Sequence, residues 1–232
     1  MKNFGFKEWF SLLIIPVIYG NMYLFFYITK NSLTVNIIDA VLRITLMSIL
    51  IYLFRHLLKN HWNEFKQKRK RKWIYIVLGA IALQIIISLV TKYSPTIETQ
   101  TPEMLDGLDF DLLSSSWTLY FIMLFTSLSS SATAIIEDIA FKHTLLKKIL
   151  TNSTFANIII VIVNSIIFGA IHYANFGNSV INTIPYMFAG LFLNIIYLKT
   201  KNLWYVLLIH LLNNFVLATV TTIFLGLFKI IM

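Results

Sequence analysis

Apolar residues fall in long runs along this chain, broken by short polar segments. Most runs approach the roughly 20 residues that a helix needs to cross a bilayer. The pattern predicts helices over residues 9–29, 35–58, 73–92, 117–150, 155–173 and 180–198. The first holds Pro16 and Gly20; the second holds Asp39 and Arg43, four apart and so on one helix face, where they can pair. The final run, 203–232, reads as one long helix or two short ones. The expected fold is all-α, a polytopic transmembrane helix bundle of about seven to eight helices. No linker divides it. Residues 1–232 read as a single integral membrane domain, with N-terminal helices over 1–111, a motif-bearing core over 112–218 and a C-terminal helix end over 219–232.

Composition supports lipid as the solvent. Hydrophobic residues make up 58% of the chain and charged residues 12%, whereas soluble domains carry about 25% charged. The net charge of +9 does not point to nucleic acid, because the basic residues sit in short loops where membrane topology explains them. With no cysteine, disulfides and thiolate chemistry are excluded. The first apolar run lacks a small-residue cleavage site after it and reads as a retained helix.

The loops suggest an orientation. Residues 59–72 hold seven Lys or Arg and one acid, Glu64, and are expected on the cytoplasmic side. Residues 98–111 hold five acids and no base, with Pro102 and Gly107 among them, and are expected to be irregular and on the outer side. Lys147 and Lys148, then Lys199 and Lys201, mark further cytoplasmic turns. The N-terminus then also lies inside, in a multi-pass protein of the cell membrane.

The polar residues of the C-terminal half carry the candidate chemistry. After Asp111 the carboxylates are Glu137 and Asp138, adjacent in an apolar run that continues to Lys142 and His143. His172 and His210 follow on later runs. Burying an ionisable group in a membrane helix costs roughly 2.5–3.5 kcal/mol, so such groups call for a function. Glu137 lies 16 residues before Ser153, the centre of the turn, and His172 lies 19 after it. An antiparallel helix pair therefore brings them to depths differing by roughly 5 Å, at about 1.5 Å per residue. Asn214 shares a helix face with His210. A carboxylate, two imidazoles and an amide are thereby offered to one pocket. Such a set suits peptide-bond hydrolysis: a carboxylate to take a proton from water and return it to the leaving amine, and donors for the oxyanion. Glu plus two His could equally hold zinc, although the helical HExxH pattern is absent. Phe168 reads as packing that shapes the pocket, Asn175 as a possible lining residue and His143 as a surface residue.

At these positions the chain resembles the CPBP family, the CAAX-protease and bacteriocin-processing membrane peptidases. The family pattern of EExxxR, FxxxH and HxxxN has its counterparts in Glu137-Asp138-xxx-Lys142, Phe168-xxx-His172 and His210-xxx-Asn214. The likeness spans roughly residues 117–215. It implies an all-helical fold of about eight helices and a metal-free glutamate mechanism. Glu137 would activate water with His172, while His210 and Asn214 would stabilise the oxyanion. Two departures stand out: Asp138 in place of the second Glu, and Lys142 in place of Arg, which removes the bidentate fork but leaves an ion pair with Asp138 open.

The expected partners are membrane lipids and a membrane-associated peptide or protein substrate. The implied roles are maturation of a signalling peptide or bacteriocin, or self-immunity to one. The two departures also suit a non-catalytic membrane scaffold of the same fold that binds a membrane partner. A transporter with a proton relay ranks below both, because the inverted repeat it predicts is not visible.

Overall fold

The computed structural model describes residues 4–68, 70–95 and 116–231. The acidic segment 98–111 lies outside the described residues, as does the boundary expected at 111/112. Among the described residues the chain is all-α. Its helices are α1 (Phe6–Thr29), α2 (Ser32–Leu53), α3 (Arg55–Gln67), α4 (Lys72–Tyr93), α5 (Trp117–Ile149), α6 (Thr154–Ala170), α7 (Ile184–Thr200) and α8, which starts at Leu203 and ends at Ile231. Among the described residues, five helices are long and apolar enough to cross a membrane: α2, α4, α5, α7 with its leading turn, and α8. The last apolar run is one helix, not two. It passes through a π-helical turn, Phe215–Val220, without stopping.

The helices are apolar on the outside and mixed within, as lipid-facing elements must be. In α6, Phe155, Ile158, Ile162 and Ile166 face outward. Asn164, Ser165 and Phe168 face inward and are buried. Asn194 of α7 donates to Ser165 Oγ at 2.9 Å, a hydrogen bond across the two helices. Small residues let the same helices approach. A Cβ on Gly169 would stand 2.6 Å from the backbone N of Met187, so only glycine admits α7 at this distance.

The sequence pattern carried the second helix to residue 58, with a basic loop after it; the structure instead breaks at Phe54 and starts α3. The reason is visible in the spacing of Leu58, His61 and Phe65, which form one buried stripe on an otherwise charged helix. Phe65 is fully buried and meets the Trp73 and Tyr205 rings edge-on. Lys72 Nζ donates to the carbonyls of Phe65 and Lys66 and so caps the end of α3.

This short helix is fastened to the start of α8. Asn202 Nδ2 donates to His61 O at 2.7 Å, Trp204 Nε1 donates to Leu58 O at 2.8 Å, and the Leu203 N–H donates to His61 Nδ1 at 3.1 Å. Asn202 also caps α8 itself by accepting from the Trp204 N–H.

Between α6 and α7 the backbone is irregular. It runs through a 3₁₀ turn, Tyr173–Phe176, a left-handed Gly177 and Asn178, and a second 3₁₀ turn at Ile181–Thr183. Non-helical backbone within a membrane bundle is tolerated where it lines a cavity. Here His172, Asn175 and Phe176 do line one.

Candidate functional site

The cavity has a volume of about 460 Å³ and is lined by residues of all the helices but α3, together with the irregular segment after α6. Glu137, His172, His210 and Asn214 all line it, each from the apolar run expected to supply it. Phe168 and Asn175 line it as well.

Glu137 and Asp138 end the regular α-helical part of α5, and a π-helical stretch, Ile139–Leu146, begins at the next residue. The second π-helical turn begins immediately after Asn214. Such insertions frequently occur at functional sites, because they free backbone groups from the usual ladder. Asn164 Nδ2 donates to Phe141 O within the first π stretch, at 3.2 Å.

Glu137 is buried, and its Oε1 takes no hydrogen bond. Its Oε2 lies 3.9 Å from His210 Nε2. The other nitrogen of the same ring, Nδ1, lies 3.4 Å from Asp138 Oδ1, an electrostatic contact without a formed hydrogen bond. The His210 imidazole thus stands between two carboxylates. Asp138 is fully buried behind the ring and is not part of the cavity wall.

Phe168 packs between the two histidines. Its ring centroid lies 5.9 Å from each of His172 and His210. His172 is held on its other side by Tyr186, with ring centroids 4.8 Å apart, and by Phe176. A Cβ on Gly190 would come within 2.8 Å of Phe168 Cδ1, so glycine leaves the room the ring occupies.

Lys142 is buried behind Phe168 rather than in the cavity. Its ammonium lies 4.1 Å from the Phe168 centroid and donates to Gly190 O at 3.3 Å. The i,i+4 ion pair with Asp138 does not form as a hydrogen bond, since both Asp138 oxygens lack donors. Asn214 Nδ2 donates to Ser130 O at 3.2 Å, and Asn214 Oδ1 accepts from Asn213 Nδ2 at 3.3 Å. The amide is thereby turned and fixed beside α5.

His143 corrects the surface reading. It is buried, 3.5 Å from Tyr197 Oη, with its ring against Phe54 and His61. His143 is covered by α3 and α7, whose His61 and Tyr197 lie against it.

Sequence reasoning paired Asp39 with Arg43 but did not bring them to the site. Both line the cavity. Arg43 Nε donates to Asp39 Oδ2 at 2.6 Å, and Arg43 Nη1 donates to Thr133 Oγ1 at 2.8 Å. Thr133 lies one helical turn before Glu137, so the pair ties α2 to α5 beside the carboxylate. Gln84 and Tyr186 also line the cavity. The signal for Asp39 and Arg43 was their charge within an apolar run; Gln84 and Tyr186 carried no such signal.

Among the described residues, no group of three or more His, Asp or Glu side chains is placed to hold a metal ion.

Residues 115–216 match the family model described as type II CAAX prenyl endopeptidase Rce1-like. The matched span contains all three motifs and almost coincides with the 117–215 over which the motif likeness runs. Neither a curated protein nor a solved structure matches the chain.

Proposed function

We propose that the chain is an intramembrane endopeptidase that hydrolyses a peptide bond in a membrane-associated peptide or protein. The observation that supports this most is that Glu137, His172, His210 and Asn214, drawn from separate stretches of chain, line one cavity.

Glu137 acts as general base. It takes a proton from water as the water oxygen attacks the carbonyl carbon of the scissile bond. His172 orients that water. The carbonyl oxygen becomes an oxyanion and receives hydrogen bonds from His210 and Asn214. The C–N bond then breaks, and Glu137 returns its proton to the leaving amine. Asp138 steadies the His210 ring from behind, and Lys142 offers a buried positive charge near the carboxylates while supporting Phe168.

The likeness to a prenyl endopeptidase suggests a substrate whose scissile bond lies close to a lipid-anchored or membrane-buried residue. Maturation of a signalling peptide or bacteriocin, or self-immunity to one, is the biological setting we favour.

The deciding experiment is mass spectrometry of membrane-associated peptides from cells carrying the parent, Glu137→Gln or His172→Ala. We expect peptides cleaved with the parent to remain uncut with both variants at equal protein levels. If both variants leave the peptide pattern unchanged, the enzyme reading fails and a scaffold of the same fold takes its place.

A further inference from the structure

An apolar groove of about 380 Å³ lies between α2, α3, α5 and α8, and shares no lining residue with the cavity that holds Glu137. Arg55, Lys59 and Trp62 line it from α3, spaced i, i+4 and i+7 along one line of that helix, and Trp204 lines it from the first turn of α8. Ile135, Leu208 and Leu211 continue its wall. We infer that the groove holds an anionic phospholipid, with the phosphate at Arg55 and Lys59 and one acyl chain along Ile135, Leu208 and Leu211.

Charge is the first argument. Arg55 and Lys59 are exposed, and no carboxylate lines the groove with them. Arg55 is turned by Tyr52: its Nη1 donates to the Tyr52 carbonyl at 3.0 Å, and its guanidinium carbon lies 4.3 Å from the Tyr52 ring centroid. Neither contact neutralises the cation. Among the described residues, neither Arg55 nor Lys59 forms an ion pair. The one acid of α3, Glu64, lies on the other side of the helix, where its Oε2 accepts from Asn202 Nδ2 at 3.4 Å. Basic pockets between membrane helices take anionic headgroups.

Placement is the second. Both α2 and α4 are long and apolar enough to cross a membrane, and α3 joins them, so Arg55 and Lys59 follow directly on the end of a crossing. That is headgroup depth. Trp62 and Trp204 stand beside them with ring centroids 4.8 Å apart, as tryptophan does in the interfacial layer. From Trp204 to Leu211, α8 advances about 10 Å along its axis, which carries the leucine wall into hydrocarbon depth. A ligand with one anionic end and one apolar chain matches both ends of the groove. Inorganic phosphate would leave the leucines uncovered, and an acidic peptide would set backbone N–H and C=O groups against them without partners.

The full-length protein can be purified with equal amounts of phosphatidylglycerol and phosphatidylcholine and its retained lipids weighed by native mass spectrometry. The parent should hold phosphatidylglycerol in preference. Lys59→Gln and Arg55→Gln, both at exposed positions, should each reduce that preference about fivefold. Lys68→Gln removes an exposed cation just past the end of α3 and outside the groove, and should leave the preference unchanged. Equal preference in the parent and the two groove variants would overturn the inference, and so would an equal fall with Lys68→Gln, which would assign the preference to net charge. Release of the bound phosphatidylglycerol by an excess of inorganic phosphate would also overturn it, since the cations would then belong to a soluble anion.

Discussion

Glu137 and His210 face each other across the boundary of α5 and α8, with Oε2 and Nε2 3.9 Å apart. The gap is wider than a direct hydrogen bond and adjoins open cavity. In a peptidase this is the useful spacing. A base and an oxyanion donor that are not bonded to each other are both free to meet a water and a carbonyl that enter from the cavity.

Loss of either donor should therefore act on the chemical step. His210→Gln and Asn214→Ala are each expected to lower kcat by about 10²–10³, with a much smaller change in KM. Single-turnover cleavage in reconstituted vesicles, using a substrate found by the peptide comparison, reads this directly. An increase in KM alone would move these residues from oxyanion stabilisation to simple binding.

Gly190→Ala should destabilise the protein and disturb both histidines. The added methyl would meet Phe168, which is buried and in contact with Lys142, His172 and His210. Overpacking of this kind costs about 1–3 kcal/mol. A lower unfolding midpoint in detergent, together with weaker cleavage, is the expected pair of results.

Asp39 and Arg43 should be strongly coupled. Both are buried, and removing the carboxylate alone leaves a guanidinium within the bundle without its counterion. Asp39→Asn is expected to cost about 3–5 kcal/mol, and pairing it with Arg43→Gln should recover much of the loss. A double-mutant cycle on unfolding midpoints measures this, and simple additivity would refute the coupling.

The junction of α3 with α8 should be sensitive to acid. His61 Nδ1 accepts from the Leu203 N–H, which requires a neutral ring. Burial foremost, then the Lys147 cation, holds the His61 pKa below its usual 6.5, against a smaller opposing pull from Glu64. As pH falls through about 6.5 the unfolded chain takes up this proton first, so stability declines from there and levels off below the folded pKa. The parent's unfolding midpoint should fall further between neutral pH and about pH 5 than that of His61→Gln. Equal declines would remove His61 as the cause.

The apolar runs made the bundle legible, because lipid imposes length and composition on each crossing. The motif residues were legible for the related reason that charge in such runs is costly; Glu137, His172, His210 and Asn214 all line the cavity. What was not legible depended on packing between distant segments. Nothing local in α2 indicates that Arg43 reaches Thr133 on α5. Lys142 could be matched to the motif, but its seat between Phe168 and Gly190 follows from the glycine on α7. The surface reading of His143 failed because facing away from Lys142 suggested solvent, while α3, hidden within a basic segment, covers it. Leu58, His61 and Phe65 already had helical spacing, but the surrounding charge concealed the stripe.

Because α3 is fastened to the first turn of α8, the two cannot move separately without breaking the three hydrogen bonds that join them. His210 stands two turns further along that same rod, about 10 Å from its start. A change in the seat of α3 would therefore carry with it the helix that presents His210 to Glu137.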